Sequence, residues 1–231
     1  MINRQILFGV LFVVGALACG GLTWCAANRT AHRVEGLEAI TRLAVLGNTP
    51  RGETVLIEGR VSERNPIKLD AHGFIAYLRE GRAIVDSKGT SSPGNWSVRE
   101  RVTPPLLIEL SGGRALIAND DYALENGHVI ENQPAAFARY SDTRYVGIAA
   151  GEPVIAVGVV IARGAQPEIK ADFIARGTRE SYAASQRSAG TMFLVISVIV
   201  AVAGGIFLLR APLRAIYDKI KNPKPAIGGG G

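Results

Sequence analysis

Three histidines are the residues of this 231-residue chain best suited to metal binding or acid–base chemistry. His32 follows the first apolar segment, His72 lies in a turn-like tetrapeptide, and His128 follows Asn126-Gly127. None of them has the close pairwise spacing of metal-binding histidines, and none adjoins a nucleophile motif. We interpret all three as surface or turn residues, and we predict neither a metal site nor a cofactor.

The remaining residue types that carry chemistry also favour structural roles. Asp120-Asp121 lacks the spacing of an EF-hand loop and is typical of a turn. The glycines form no phosphate-binding pattern such as Gly-x-Gly-x-x-Gly. Cys19 and Cys25 are the only cysteines. Six residues apart on a helix, they face different sides and cannot form a disulfide with each other, so we interpret them as small apolar packing residues. We therefore predict no catalytic residue and a protein that is not an enzyme.

Two groups of residues could instead bind a partner. Trp96 stands at the base of the polar stretch 87–95, which is either a mobile hairpin loop or an interaction tip. A group of arginine and aromatic side chains also has the composition of an interface hot spot, although we favour ordinary strand packing with extended arginine stems as its explanation. This second group is Phe137, Arg139, Tyr140, Arg144 and Tyr145.

Two uncharged apolar segments position everything else. Residues 6–27 and 190–209 contain 22 and 20 residues without a charge, and a helix needs about 20 apolar residues to cross a membrane. We expect the first to be an uncleaved anchor rather than a signal peptide. Small residues at four-residue intervals predict close packing of these helices with each other or with a partner subunit, unless they reflect ordinary membrane composition. They are Ala16, Gly20, Ser197, Ala201 and Gly205.

The positive charge is concentrated at one end of the chain. Of the net charge of +6, residues 210–231 carry +4, whereas 28–189 carry only +1. This distribution argues against nucleic-acid binding, which needs a basic folded face. It instead predicts a cytoplasmic tail that contacts anionic lipid headgroups through Arg210, Arg214, Lys219 and Lys221. Arginine outnumbers lysine by 20 to 6, a bias that often accompanies GC-rich bacterial genomes. Together with the two spans and the cytoplasmic tail, it predicts a bacterial inner-membrane protein with residues 28–189 in the periplasm.

Between the spans the pattern is mainly that of β structure. Helical periodicity from Val34 to Leu46 predicts a juxtamembrane helix, and short strands divided by turn residues follow, as in a small barrel or sandwich. The predicted strands include residues 54–61, 74–79 and 106–110. Residues 154–161 are apolar almost throughout and should be buried on both faces. The predicted segments are residues 1–5 (cytoplasmic), 6–27 (first transmembrane helix), 28–49 (juxtamembrane helix), 50–178 (β domain), 179–189 (juxtamembrane), 190–209 (second transmembrane helix) and 210–231 (basic cytoplasmic tail).

Two short motifs carry a family resemblance. Leu56-Ile57-Glu58-Gly59 with Val61 and Pro66, and Gly151-Glu152-Pro153-Val154 with Val157 and Gly158, resemble the beside-a-membrane (BAM, or GIDE) domain family. The resemblance covers roughly residues 35–210 and implies a membrane-proximal domain between two anchors. In eukaryotes the family includes a membrane ubiquitin ligase with a RING finger after the second span. The 22 residues after Leu209 contain neither Cys nor His, so we expect a bacterial member without a RING finger.

These features together predict a two-span protein with a mainly β extracytoplasmic domain. Its expected function is that of a non-catalytic accessory, scaffolding or recognition subunit that docks on another membrane protein, as yet unidentified. The alternative is an envelope enzyme that acts on lipid or peptide at the membrane surface.

Reporter fusions test the predicted topology. Alkaline phosphatase inserted after Gly89 should be active because the positive tail keeps both termini in the cytoplasm, and a cytoplasmic reporter after Gly231 should also be active. A stably expressed but inactive phosphatase fusion would show that residues 28–189 are not periplasmic.

Overall fold

The structure is a computed structural model that describes residues 4–87, 90–132 and 142–221, with side chains for 9–83, 92–132, 142–206 and 221. The chain forms two compact units, Met1–Ala31 with Ser185–Gly231 and His32–Ala184. The helices are α1 (Arg4–Gly36), α2 (Leu43–Asn48) and α3 (Arg179–Lys221), with a 3₁₀ turn at Leu69–Ala71. The strands are β1 (Ala39–Ile40), β2 (Thr54–Val61), β3 (Phe74–Gly81), β4 (Ile84–Ser87), β5 (Thr90–Pro93), β6 (Ser97–Val102), β7 (Leu106–Leu110), β8 (Gly113–Ile117), β9 (Ala123–Glu125), β10 (His128–Glu131), β11 (Thr143–Ala149), β12 (Pro153–Ala162) and β13 (Glu168–Arg176).

The second unit, His32–Ala184, is built on a closed five-stranded barrel. Its strands follow the cyclic order β2–β12–β13–β8–β7–β2, and only β8 and β13 run parallel. Counted along the chain, the five barrel strands lie in the order 1-2-3-5-4-1, which resembles the Greek-key barrel of the OB-fold. The expectation of a mainly β domain with an apolar helix at each end is confirmed, and the sheet is a barrel. The architecture by itself implies no function.

The longest barrel strand, β12, is buried on both faces as its composition predicts. Val154, Ala156 and Val160 point into the barrel core, whereas Ile155 and Val157 belong to a second cluster on the outside. Side chains from residues near the unit's two ends, Val34 of α1 and Tyr182 of α3, cover this outer cluster and are fully buried themselves.

One glycine lets β12 and β13 approach each other. A Cβ at Gly158 would lie 2.2 Å from the Lys170 carbonyl oxygen, closer than any real side-chain carbon. The register between the two strands shifts directly before it, between Val157 and Gly158. The glycine therefore allows the bulge at which β12 changes its pairing.

A four-stranded antiparallel sheet is inserted between the barrel strands, in the order β10–β11–β3–β6. It begins inside the barrel core, where Ile75, Ala76 and Ile148 are buried. Along β3 the residues then become half-buried or exposed from Leu78 to Glu80. This sheet thus carries its outer half into solvent, and the β4–β5 hairpin connects β3 to β6.

The helical periodicity from Val34 to Leu46 divides into two elements rather than one helix. Helix α1 ends at Gly36, and Ala39 and Ile40 then pair with β2 before α2 begins. The Arg179 guanidinium also donates to the Leu37 carbonyl oxygen at 3.1 Å. Glycine is a poor helix former, and these backbone partners favour an extended segment where periodicity alone predicts a continuing helix.

The helices of the first unit are long and apolar enough to cross a membrane. The candidate spans are Gly9–Gly36 and Arg179–Ile206, with mean hydropathies of 2.0 and 2.3. The second helix continues to Lys221, so residues 210–221 of the basic tail are helical.

Two matched valine substitutions test the burial of β12. Val157→Asp should destabilise the full-length protein by about 4 kcal/mol or more, because it places an unpaired charge in an apolar cluster. Val129→Asp, on the exposed strand β10, should change the stability by about 0.5 kcal/mol or less. Denaturant unfolding in mild detergent, followed by the β-sheet circular dichroism signal, measures both. Equal stability of the two variants would show that β12 is not a core strand.

Candidate functional site

Trp96 and two arginines form the most concentrated cluster of recognition side chains in the described structure. The guanidinium carbons of Arg82 and Arg144 lie 4.3 and 4.4 Å from the Trp96 ring centroid. Arg144 Nε also donates to Glu80 Oε2 at 2.6 Å. A cation over an indole contributes about 0.5–1 kcal/mol when exposed and about 2 kcal/mol when desolvated. We call Glu80, Arg82, Trp96 and Arg144 the tryptophan cluster.

Strand register brings the tryptophan cluster together. Arg144 on β11 lies directly opposite Glu80 on β3, and facing residues of paired strands have Cβ atoms about 5 Å apart. The β4–β5 hairpin closes through a hydrogen bond from the Gly94 amide to the Ala83 carbonyl oxygen, 2.8 Å long. This closure places Arg82 and Trp96 on either side of the hairpin base.

The side chains of the tryptophan cluster are partly exposed, and Arg144 is contacted from two sides. The side chains of Arg144 and Glu80 are 26% and 16% exposed, and Trp96 is half-buried. A carboxylate on one edge of Arg144 and a ring on its face restrict its conformations, so that less entropy is lost on binding. Such fixed aromatic and arginine groups are the usual anchors of protein interfaces.

Tyr145 does not join Trp96, although it follows Arg144 directly. Successive strand residues point to opposite faces, and Tyr145 instead contacts Tyr77 and His72, with ring centroids 5.7 and 4.9 Å away. Burial and the neighbouring Glu100 carboxylate raise the pKa of Tyr77, whose phenol donates to Glu100 Oε1 at 3.4 Å. Arg144 and Tyr145, which the sequence analysis placed in one candidate interface group, therefore lie on opposite faces of the sheet.

Some predicted interface residues fall outside the described part of the chain. Arg139 and Tyr140 lie among residues 133–141, which the structure does not describe. Of the four basic residues expected at lipid headgroups, Arg210, Arg214 and Lys219 lie on α3 without described side chains, and Lys221 is exposed. Their interface and lipid roles stay predictions.

The small residues of the spans lie at different distances from the neighbouring helix. Gly20 is buried, and a Cβ there would lie 2.1 Å from Ser197 Oγ. Ala201 is also buried and Ala16 is half-buried. Among the described atoms outside the backbone of its own helix, none lies within 4 Å of a Cβ built on Gly205, whereas a Cβ on Gly204 would lie 3.0 Å from the Val13 side chain. The close helix–helix contact therefore includes Gly20, Ser197 and Gly204.

Sequence reasoning missed two members of the tryptophan cluster, Arg82 and Glu80. Both flank Gly81. The sequence predicts a strand that ends at Arg79 and a turn at Glu80-Gly81, so these two residues were not expected to face the next strands. The structure continues β3 to Gly81 and places Ser87 and residues 90–93 of the polar stretch in strands β4 and β5. A sequence prediction of a hairpin with strands at residues 84–87 and 90–93 would have placed Arg82 next to Trp96.

Two shallow cavities lie on the barrel unit. The larger, about 370 Å³, is lined by two leucines, Leu43 and Leu107, by small residues, and by Arg114 and Gln166. The second, about 290 Å³, contains Asn119, whose amide bonds the Ala171 backbone at both ends and donates to the Asp121 carboxylate. This hydrogen bond lowers the pKa of Asp121. Asn119 thus joins the acidic turn to the β13 backbone.

The histidines are separately placed. His72 adopts a left-handed backbone conformation with φ of 58° and its Nε2 atom lies 3.1 Å from Asn132 Oδ1. His128 is exposed near Phe74, and His32 lies 3.8 Å from Glu35. Within the described residues, no group of three or more His, Cys, Asp or Glu side chains could hold a metal ion.

Comparisons with protein-family models, with curated proteins and with solved structures find no match to this chain. The resemblance to the beside-a-membrane family stays a prediction from the two sequence motifs.

A pair of glycine substitutions tests the helix–helix contact. Gly20→Leu should lower the melting temperature of the full-length protein in mild detergent, because the new side chain overlaps Ser197. Gly205→Leu adds the same side chain where no described atom outside the backbone of its own helix lies within 4 Å of the new Cβ, and it should leave the melting temperature unchanged. Equal shifts in the two variants would contradict the contact.

Proposed function

We propose that this protein is a membrane-anchored, non-catalytic accessory subunit that docks on another membrane protein. In this proposal the β unit and the two spans both contribute contact surface. The protein would reside in a bacterial inner membrane, with both termini cytoplasmic and the β unit in the periplasm.

The observation that carries this proposal is the tryptophan cluster. It combines tryptophan and arginine, the residue types most enriched at interface hot spots, in a fixed and half-exposed arrangement. The cluster lies where the inserted sheet has left the barrel core, so a partner could reach it without disturbing the barrel. Tryptophan buries a large and rigid surface at a low conformational-entropy cost, and the planar guanidinium of arginine donates hydrogen bonds in a fixed fork geometry.

The two ends of the barrel unit support a two-span anchorage. Arg33 Nη2 forms a 2.9 Å ion pair with Asp172, and Arg179 Nη1 donates to the Leu37 carbonyl oxygen. These contacts hold the start and end of the unit close together. A unit with adjacent ends suits a chain whose two helices enter one membrane from the same side, and the +4 tail favours the cytoplasm for its far end.

Co-purification of the full-length protein tests the docking function. The tagged protein is extracted in mild detergent from its native membrane, and bound proteins are quantified by mass spectrometry. A stoichiometric membrane partner is expected, and Trp96→Ala and Arg144→Ala should each reduce its recovery by about tenfold. Arg51→Ala is the matched control because Arg51 is exposed and outside the cluster.

Each result of this experiment has a defined meaning. Thermal melting of every variant separates loss of binding from loss of folding. Full recovery of the partner with folded Trp96→Ala protein would exclude the tryptophan cluster as the docking site. The absence of any stoichiometric membrane partner for the wild-type protein would contradict the docking function, and the envelope enzyme would then take its place.

A further inference from the structure

Strand β6 offers an open sheet edge directly beside the tryptophan cluster. It begins at Ser97, the residue after Trp96, and pairs with β3 along one side. Within the described residues, no strand lies along its other side. Four of its six residues are exposed and the other two are half-buried. The open side therefore presents backbone N–H and C=O groups to which another extended segment could bind.

The charges on β6 make this edge positive on both faces. Arg101 lies opposite Leu78 on one face, whereas the Arg99 side chain crosses Gly81, with Nε 3.1 Å from where a Cβ would lie. Neither arginine forms an ion pair or side-chain hydrogen bond within the part of the chain that the structure describes. The acidic residue between them, Glu100, is already paired with Arg79 at 2.9 Å. Two positive charges without an ion-pair partner among the described residues thus lie on opposite faces of β6.

The geometry points to β6 as the edge onto which an acidic, extended segment of a partner protein adds as a further strand. This inference rests on the proposed docking function and specifies the partner's chemistry. In an antiparallel arrangement, the added strand would place an acidic side chain opposite Arg101 and an apolar one on the same face opposite Val98, which is 48% exposed. A second acidic side chain would lie on the other face beside Arg99, opposite Ser97. Opposite charges and apolar pairs on facing strands stabilise a sheet. The end of the added strand beyond Ser97 would reach Trp96.

A protective role for the same charges is the alternative explanation. Charged residues and bulges on an edge strand prevent unwanted pairing, and the register between β3 and β6 shifts between Arg79 and Glu80. A protective edge would reject added strands of any charge. The proposed edge should accept an acidic strand and reject a basic one, so the two explanations differ in a measurable way.

Three synthetic hexapeptides are the probes, added to the full-length protein in lipid nanodiscs. The first, Thr-Glu-Thr-Val-Glu-Thr, carries the predicted pattern, and the second replaces both Glu residues by Lys. The third is the acidic peptide N-methylated at its second and third residues. Because successive strand amides point in opposite directions, one of these two blocked amides must face β6. Hydrogen exchange at residues 97–102, followed by mass spectrometry, reports strand addition.

We expect the acidic peptide alone to slow exchange at residues 97–102. The double variant Arg99→Glu, Arg101→Glu should weaken its binding by about tenfold or more and should bind the lysine peptide instead. The control Arg51→Glu, Arg163→Glu changes the net charge equally at exposed residues outside β6 and should bind like the wild type. This reversal of preference would show recognition at β6 rather than a general effect of net charge.

Other outcomes would overturn the inference. Equal binding of the N-methylated acidic peptide would mean charge attraction without strand addition. No slowing of exchange by any peptide would mean a protective edge. Slowing that depends on protein concentration without peptide would identify a second copy as the occupant. If the partner found by co-purification is retained by the Arg99→Glu, Arg101→Glu variant, this inference fails while the docking function stands.

Discussion

The covering of the barrel's outer face is the constraint on which the remaining structure depends. Strand β12 is apolar on both sides, and a barrel interior can bury only one of them. The other side would expose Ile155 and Val157 to water if Val34 and Tyr182 did not cover it. Val34 lies in the last turn of α1 and Tyr182 in the first turn of α3. The barrel is therefore complete only when the segments that lead to the helices are folded onto it.

A hydrogen bond and a ring contact fix the Tyr182 side of this cover. Tyr182 stacks on Phe173 with ring centroids 5.4 Å apart, and its hydroxyl donates to the Glu125 carboxylate of β9. Glu58 of β2 accepts the Arg179 backbone amide one turn earlier. An acceptor for a free amide at a helix N-terminus satisfies a group that would otherwise be buried without a partner. The start of α3 is thus joined to the barrel through polar as well as apolar contacts.

Local patterns predicted the strands well and their partners poorly. Thr54–Val61 and Leu106–Leu110 were predicted with the bounds that the structure has, because alternation and turn residues are local signals. The barrel closure between β2 and β7 and the parallel pair β8–β13 depend on contacts distant in sequence. The tryptophan cluster was half predicted for the same reason. Trp96 and Arg144 are recognisable by residue type, but their contact follows from the register of β3 and β11.

The closure of the barrel also has a consequence for how the protein is made. Strand β2 pairs with β12, and Leu56 therefore pairs with Val157, about 100 residues later in the chain. Pairings this distant fold slowly, because a long loop must close before the contact forms. Until then, an apolar strand with open edges is exposed during synthesis. The barrel can close only after its last two strands, β12 and β13, have been made, and the unpaired strands of the shorter chain are open to aggregation up to that point.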